Sequence, residues 1–322
     1  MRIRFISLVL ALVLVAASAG CTSDTGTGDQ DSGDGAAQSG PVVVGSKIDT
    51  EGGVLGQMII ALLENEGIEV EDRTKTGTTD VVRQALEGGE IDIYPEYTGT
   101  ALFQFFPEAE VDEGVSSDGE ASWERVKELD AENDIVWLER APANNTWAIA
   151  IPRELSESEG IVTLEDWATY IIDGNEVKLV GSQEFVDRED ALPAFEAAYG
   201  FDLSGDQLII LAGGDTAQTE AAAAQGTDGA NAAMAYGTDG SLAALDLVVL
   251  QDPKGVQPVY EPAPIVRSEV LEAYPEIADV LDPVFQGLTL EALQELNGKV
   301  AVDGMDPRQV ARDYLKAEGY LE

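Results

Sequence analysis

Histidine is missing from all 322 residues, and cysteine occurs once, as Cys21. The first absence removes histidine general bases, Ser-His-Asp and Cys-His mechanisms, and histidine zinc sites. The second removes disulfides within the chain and zinc-thiolate clusters. Positive charge is scarce too: 18 Lys plus Arg stand against 61 Asp plus Glu, a net charge of -43. Phosphate backbones need cationic surface, so a nucleic-acid partner is excluded. The acids are scattered along the chain (Glu64, Glu66, Glu69, Glu71 and Asp72 form one example) and do not gather in a tail. We read them as a solubility adaptation to high salt, where screening over about 3 Å at molar ionic strength removes their mutual repulsion. A calcium-binding surface lacks an Asp-x-Asp-x-Asp-Gly loop, and no metal or cofactor is expected. Long apolar runs are also absent: the one over 5–17 is shorter than the about 20 residues needed to span a bilayer.

What is present begins with that run. Met1-Arg2-Ile3-Arg4 is a short basic region, 5–17 an apolar core, and Ala17-Ser18-Ala19-Gly20-Cys21 a small-residue cleavage site. Residues 1–21 therefore read as a lipoprotein signal with Cys21 as the lipid-attachment site, which puts the protein on the extracytoplasmic face of the membrane. Residues 22–41 are nearly all Ser, Thr, Gly, Asp, Gln and Ala, too polar to fold, and read as a flexible tether. About 280 residues remain from Val42 on, enough for two lobes with a core each.

Local patterns predict parallel α/β alternation. Strands are expected over 42–45, 68–70, 91–94, 135–137, 146–151, 177–180, 208–211, 232–236 and 247–250. Helices are expected over 54–63, 79–86, 123–129, 164–170, 191–199 and 219–225. The segments 260–267, 271–281, 290–296 and 307–315 close the chain as a mostly helical tail packed on the first lobe. Lobe 1 is then 42–149 plus 251–322, and lobe 2 is 150–250.

Two stretches repeat one design. Gly77-Thr78-Thr79-Asp80, Ala85-Leu86, Asp92 and Tyr94-Pro95-Glu96-Tyr97-Thr98-Gly99-Thr100 are answered by Gly214-Asp215-Thr216, an alanine-rich run, Asn231, Tyr236 and Thr238-Asp239-Gly240. Each reads as a glycine turn, a short helix, a strand, and a tyrosine-bearing loop where the strand stops, the place where open α/β sheets present ligand-binding groups. A cleft between two lobes follows.

Several further stretches join these: Gly45-Ser46-Lys47, Asn144-Asn145-Thr146, Asp187-Arg188-Glu189-Asp190, Tyr199-Gly200 and Pro262-Ala263-Pro264-Ile265-Val266-Arg267. With them, essentially the whole folded region resembles the substrate-binding proteins of ABC importers for glycine betaine, choline, carnitine and related quaternary ammonium solutes. The resemblance implies a two-lobed periplasmic-binding-protein type II fold with a central ligand cleft and two hinge crossovers. It also implies a monomeric receptor that partners with an ABC permease and ATPase. A trimethylammonium head donates no hydrogen bonds, so it is held by π faces in a dry pocket. Tyr97 is the leading cage residue by resemblance; Trp147 stands where the family has a tyrosine, and Tyr236 and Tyr260 follow. Lys47, Arg188 and Thr100 are the expected partners of a ligand carboxylate, and Asn145 and Asp239 are candidates to face the cationic head, with capping of adjacent turns as their alternative role. The sequence departs from the family after the lysine, where Ile48-Asp49-Thr50-Glu51-Gly52 replaces Phe-Thr-Glu-Gln, and over 219–222, where a tyrosine is expected. Two other readings stay open: a same-fold receptor for an amino acid or other zwitterion, using acceptors such as Asp239, and a surface hydrolase using Glu96 or Asp239 as acid or base.

Overall fold

The computed structural model describes residues 40–112, 114–213 and 215–322. The expected signal, Cys21 and nearly all of the tether lie outside the described residues. Among those described, ten strands form two five-stranded sheets. They are β1 (Val42–Lys47), β2 (Val70–Gly77), β3 (Ile93–Tyr97), β4 (Ile135–Trp137), β5 (Trp147–Pro152), β6 (Leu179–Ser182), β7 (Leu208–Leu211), β8 (Ala232–Tyr236), β9 (Leu247–Val249) and β10 (Pro262–Arg267).

One sheet has the order β2-β1-β3-β10-β4 and the other β7-β6-β8-β5-β9. In the first, β1 runs parallel to β2 and β3, and β10 lies antiparallel to β3 and β4. In the second, β6 runs parallel to β7 and β8, and β5 lies antiparallel to β8 and β9. The chain passes from the first sheet to the second after β4 and returns after β9, so two connections join the lobes. β5 belongs to the second sheet from Trp147 on.

The first lobe is organised around the helix Thr50–Asn65. Asp49 caps it by accepting from the Gly52 amide at 2.7 Å. Every residue from Glu51 to Leu63 is buried, as expected of a helix without a polar face. Val54, Met58, Ile59 and Leu62 pack with Val42 and Val44 of β1 and with Leu281, Phe285, Val310 and Leu315 from the C-terminal helices. Gly56 makes the approach to the sheet feasible, because a Cβ there would lie 2.8 Å from Thr74 Cγ2. Trp167, Phe185 and Phe195 centre the core of the second lobe.

Three expectations are corrected. β2 runs through Glu71-Asp72-Arg73-Thr74-Lys75-Thr76, an edge strand whose exposed polar residues give no period-two signal. The strand expected over 91–94 runs instead from Ile93 through Pro95-Glu96-Tyr97, which were expected as a loop, and Pro95 lies directly opposite Pro264 of β10. Proline argues against a central strand because it cannot donate to the ladder; here two prolines face each other and neither demands a donor. Finally, Pro262–Arg267 is a central strand and not part of a helical tail, while the helices Glu276–Gly287, Leu290–Ala301 and Pro307–Ala317 do pack on the first lobe.

Candidate functional site

β1 and β3 end at Lys47 and Tyr97, β5 starts at Trp147, and β8 ends at Tyr236. These strand ends meet at one cleft, part of it open to solvent. Its lining combines Lys47, Asp49, Tyr97, Thr100 and Asn145 with Trp147, Glu184, Arg188, Tyr236 and Tyr260. Eight of the nine ligand-contact residues expected from the sequence are thus brought together.

The four rings are held by specific partners. Antiparallel register puts Trp147 opposite Tyr236, with ring centroids 4.6 Å apart, and Trp147 also meets Phe185 at 5.2 Å. The Tyr260 hydroxyl donates to Asp190 at 2.6 Å, and the Tyr97 hydroxyl donates to Glu51 at 3.0 Å. Burial raises the pKa of Tyr97, Tyr236 and Tyr260 well above the usual phenol value, with neighbouring carboxylates adding to the effect, so all three stay protonated. Tyr94, three residues before Tyr97 in β3 and therefore on the opposite face, is fully buried and donates to Glu96.

Both cations of the lining are already paired. Lys47 Nζ lies 2.7 Å from Glu96 Oε1 and 4.8 Å from the centre of the Tyr97 ring. Arg188 forks onto Asp190 at 2.9 and 2.5 Å, reaches Glu184 at 3.2 Å and sits 5.8 Å from the Trp147 ring. Burial works against the charge of Arg188, yet the bonds and charge of Asp190 outweigh it and leave its pKa raised. A ligand carboxylate would therefore compete with protein carboxylates for either group. It also finds Thr78 and Thr79, which line the cleft at the N-terminus of the helix Thr79–Glu87. Thr78 makes no capping bond there, so that helix end offers unspent amides to an anion.

Asp239 is the exception among the expected contacts. It does not line the cleft; its carboxylate accepts from Thr216 Oγ1 at 2.8 Å and from the Tyr236 amide at 2.6 Å, closing the turn that holds Tyr236. Burial first, and then the nearby Glu220 carboxylate, push its pKa well up. Glu96 is no better placed for acid-base work, since it is fully buried and bonded to Tyr94, the Tyr97 amide and Lys47.

Sequence reasoning missed Glu51. Its Oε1 accepts from Tyr97 and from Asn145 Nδ2 at 2.9 Å, and its Oε2 accepts from Asn297 Nδ2 at 2.8 Å. Asn297 also donates to the Thr238 carbonyl at 3.0 Å, and Gln294 to the Gly237 carbonyl at 2.9 Å. One buried carboxylate thus ties a cage tyrosine to a helix of the first lobe and to a loop of the second. A glutamate in the first turn of an otherwise apolar helix was the available signal.

Two α/β sheets of equivalent design, facing each other across a cleft walled by aromatic rings from both, define a two-lobed solute-binding protein. Residues 40–317 match the model of the substrate-binding domain of ABC-type glycine betaine transport systems, and the chain belongs to that family. It is 52% identical to the glycine betaine-binding protein YehZ of Escherichia coli K12, over 88% of this chain and 92% of that one. It is 33% identical to a glycine-betaine-binding protein of Pseudomonas aeruginosa, over 89% of this chain and 91% of that one. The structure of apo YehZ superposes with a TM-score of 0.64, over 88% of this chain and 100% of that one. A glycine betaine/carnitine/choline ABC transporter structure shares the fold with a TM-score of 0.67 at 22% identity, over 87% of this chain and 100% of that one. The chain is therefore a solute receptor of an ABC importer and works on the extracytoplasmic side of the membrane. No helix among the described residues is long and apolar enough to cross a membrane.

Proposed function

We propose that the chain binds glycine betaine or a related quaternary ammonium osmolyte between closing lobes and delivers it to an ABC permease. The observation that carries this reading is the convergence of Tyr97, Trp147, Tyr236 and Tyr260 on one cleft. Each desolvated ring contributes roughly 0.5 to 2 kcal/mol toward a cation, so four account for micromolar affinity once the other end of the ligand is held. Thr100 and the N-terminus of the helix Thr79–Glu87 serve that other end, and Lys47 and Arg188 contribute where the ligand carboxylate displaces their present partners. The similar glycine betaine-binding proteins of Escherichia coli and Pseudomonas aeruginosa support the same reading.

Closure supplies the mechanism. Lobe 1 presents Lys47, Tyr97 and Thr100, and lobe 2 presents Trp147, Arg188 and Tyr236, with Asn145 and Tyr260 on the connections between them. A ligand that touches both walls at once favours the closed state by its differential contacts. Cys21 carries the lipid, residues 22–41 tether the monomer to the membrane, and the acidic surface suits growth in high salt. Calorimetry at molar salt with glycine betaine, choline, carnitine and glycine tests the assignment. Binding of the trimethylated solutes without glycine is the expected result; binding of glycine alone would return the site to an amino-acid receptor.

A further inference from the structure

The charge balance of the cleft deepens that reading, and rests on it. Asp49, which caps the helix Thr50–Asn65 through the Gly52 amide, also lines the cleft that holds the four rings. It shares that lining with Tyr97 of the first sheet and Tyr236 of the second. Among the described residues no Lys or Arg forms an ion pair with it. Lys47, two positions earlier, gives its ammonium to Glu96, and Arg188 is held by Asp190 and Glu184. Asp215 of the second lobe, which accepts from Thr50 Oγ1 at 3.3 Å, adds another negative charge nearby. The cations Lys47 and Arg188 thus face Asp49, Glu184, Glu96 and Asp190, and negative charge is in excess where the ligand's ammonium is to sit. Burial raises the Asp49 carboxyl above its usual range, against the pull of the Gly52 amide and the Lys47 charge, as expected of an anion short of counter-charge.

We propose that Asp49 selects the ligand by charge: it serves as counter-ion to the quaternary ammonium and favours net cations of the choline type over net-neutral betaines, whose own carboxylate it repels. The family's other solutes share the trimethylammonium head, so the rings alone do not distinguish them; a fixed anion beside the rings does.

The test is calorimetric titration of wild type and Asp49→Asn with choline and with glycine betaine at one fixed salt concentration. Asparagine caps helices as well as aspartate, so the helix start is retained while the charge is lost. The expected result is that choline binding weakens about tenfold and betaine binding changes much less, shifting the ratio of the two Kd values toward betaine by at least about fivefold. Asp49→Ser, which also caps, repeats the measurement should the asparagine variant fold poorly. Parallel changes for both ligands, or an unchanged ratio with an unchanged Tm, would reduce Asp49 to a helix cap and overturn the proposal. A wild-type protein that binds neither ligand would overturn the reading of the site itself, and this inference with it.

Discussion

Glu51→Gln probes the buried polar hub through the pH dependence of stability. Glu51 is 4% exposed and accepts three hydrogen bonds, from Tyr97, Asn145 and Asn297. Burial is the main force that lifts its carboxyl from 4.5 to about 7; bonds from Asn297 and Tyr97 pull the other way, and Asp49 adds to the rise. In the unfolded chain the group titrates near 4.5, so between that value and 7 the folded protein holds a proton that the unfolded chain has lost. Stability from this group is therefore greatest below the unfolded pKa and falls as pH rises through the folded one. The displacement corresponds to about 3 kcal/mol, fully expressed only above about pH 7. Glutamine cannot ionise, and its carbonyl still accepts from Tyr97 and Asn145. Urea unfolding of both proteins from about pH 4.5 to about pH 8 should show the variant gaining about 3 kcal/mol on the wild type across that range. Other buried acids with raised pKa, such as Glu220 and Asp239, titrate in both proteins and cancel in the difference. Parallel stability curves would refute the account.

The remaining predictions concern the walls and the supports of the cleft. Trp147→Ala and Tyr97→Ala should each weaken binding of a trimethylated solute at least about tenfold by calorimetry, and Tyr97→Phe, which keeps the ring, should lose much less. Arg188→Ala strands the buried Asp190 with Tyr260 as its remaining donor and should cost about 3 to 5 kcal/mol in chemical denaturation, with Asp190→Asn restoring much of the loss. Gly240→Ala would set a Cβ 2.7 Å from Gly298 Cα and against the Gln294 carbonyl, so the loop at 237–240 can no longer rest on the helix Leu290–Ala301. A loss of about 1 to 3 kcal/mol in the same assay is expected.

The sequence and the fold agree best where apolar pattern and burial coincide. β8 was legible to the residue, because Ala232-Ala233-Met234-Ala235 is continuously apolar and buried. The helix at 54–63 extends at both ends to Thr50–Asn65, its first turn fixed by the Asp49 cap and not by apolar spacing. β2 and β3 were misplaced because neither follows the pattern of its class: one is a polar edge, the other carries a proline matched by another proline across the ladder. The candidate site was legible by residue type. Rings and charges near strand ends converge, whereas Asp239 went astray because a Thr-Asp-Gly turn reads the same whether its carboxylate faces a ligand or closes the turn. The pairing of Lys47 with Glu96 over only 2.7 Å, across two neighbouring strands, has no sequence signature.

The repeated design seen in the sequence has a topological counterpart that explains why the cage is shared between lobes. Each sheet consists of three parallel strands, then one reversed strand, then an edge strand that runs with the first three, so β3 and β8 occupy the same central position, as do β10 and β5 beside them. Tyr97 is the last residue of β3 and Tyr236 the last of β8. Their partners across the ladder correspond as well: Pro262 of β10 opposes Tyr97, and Trp147 of β5 opposes Tyr236. Antiparallel pairing makes β10 and β5 begin where β3 and β8 end, so the crossing segments enter each sheet at the cleft edge, bringing Tyr260 and Asn145 with them. A ring at the end of a central strand, and another at or just before the start of its antiparallel neighbour, therefore arises in each lobe from the same connectivity. Facing two such sheets across a pair of crossings yields four rings around one cleft. A long insertion in the crossing just before Tyr260 would consequently move that ring out of the cleft while leaving both sheets and their cores intact, and should weaken ligand binding strongly with little change in Tm.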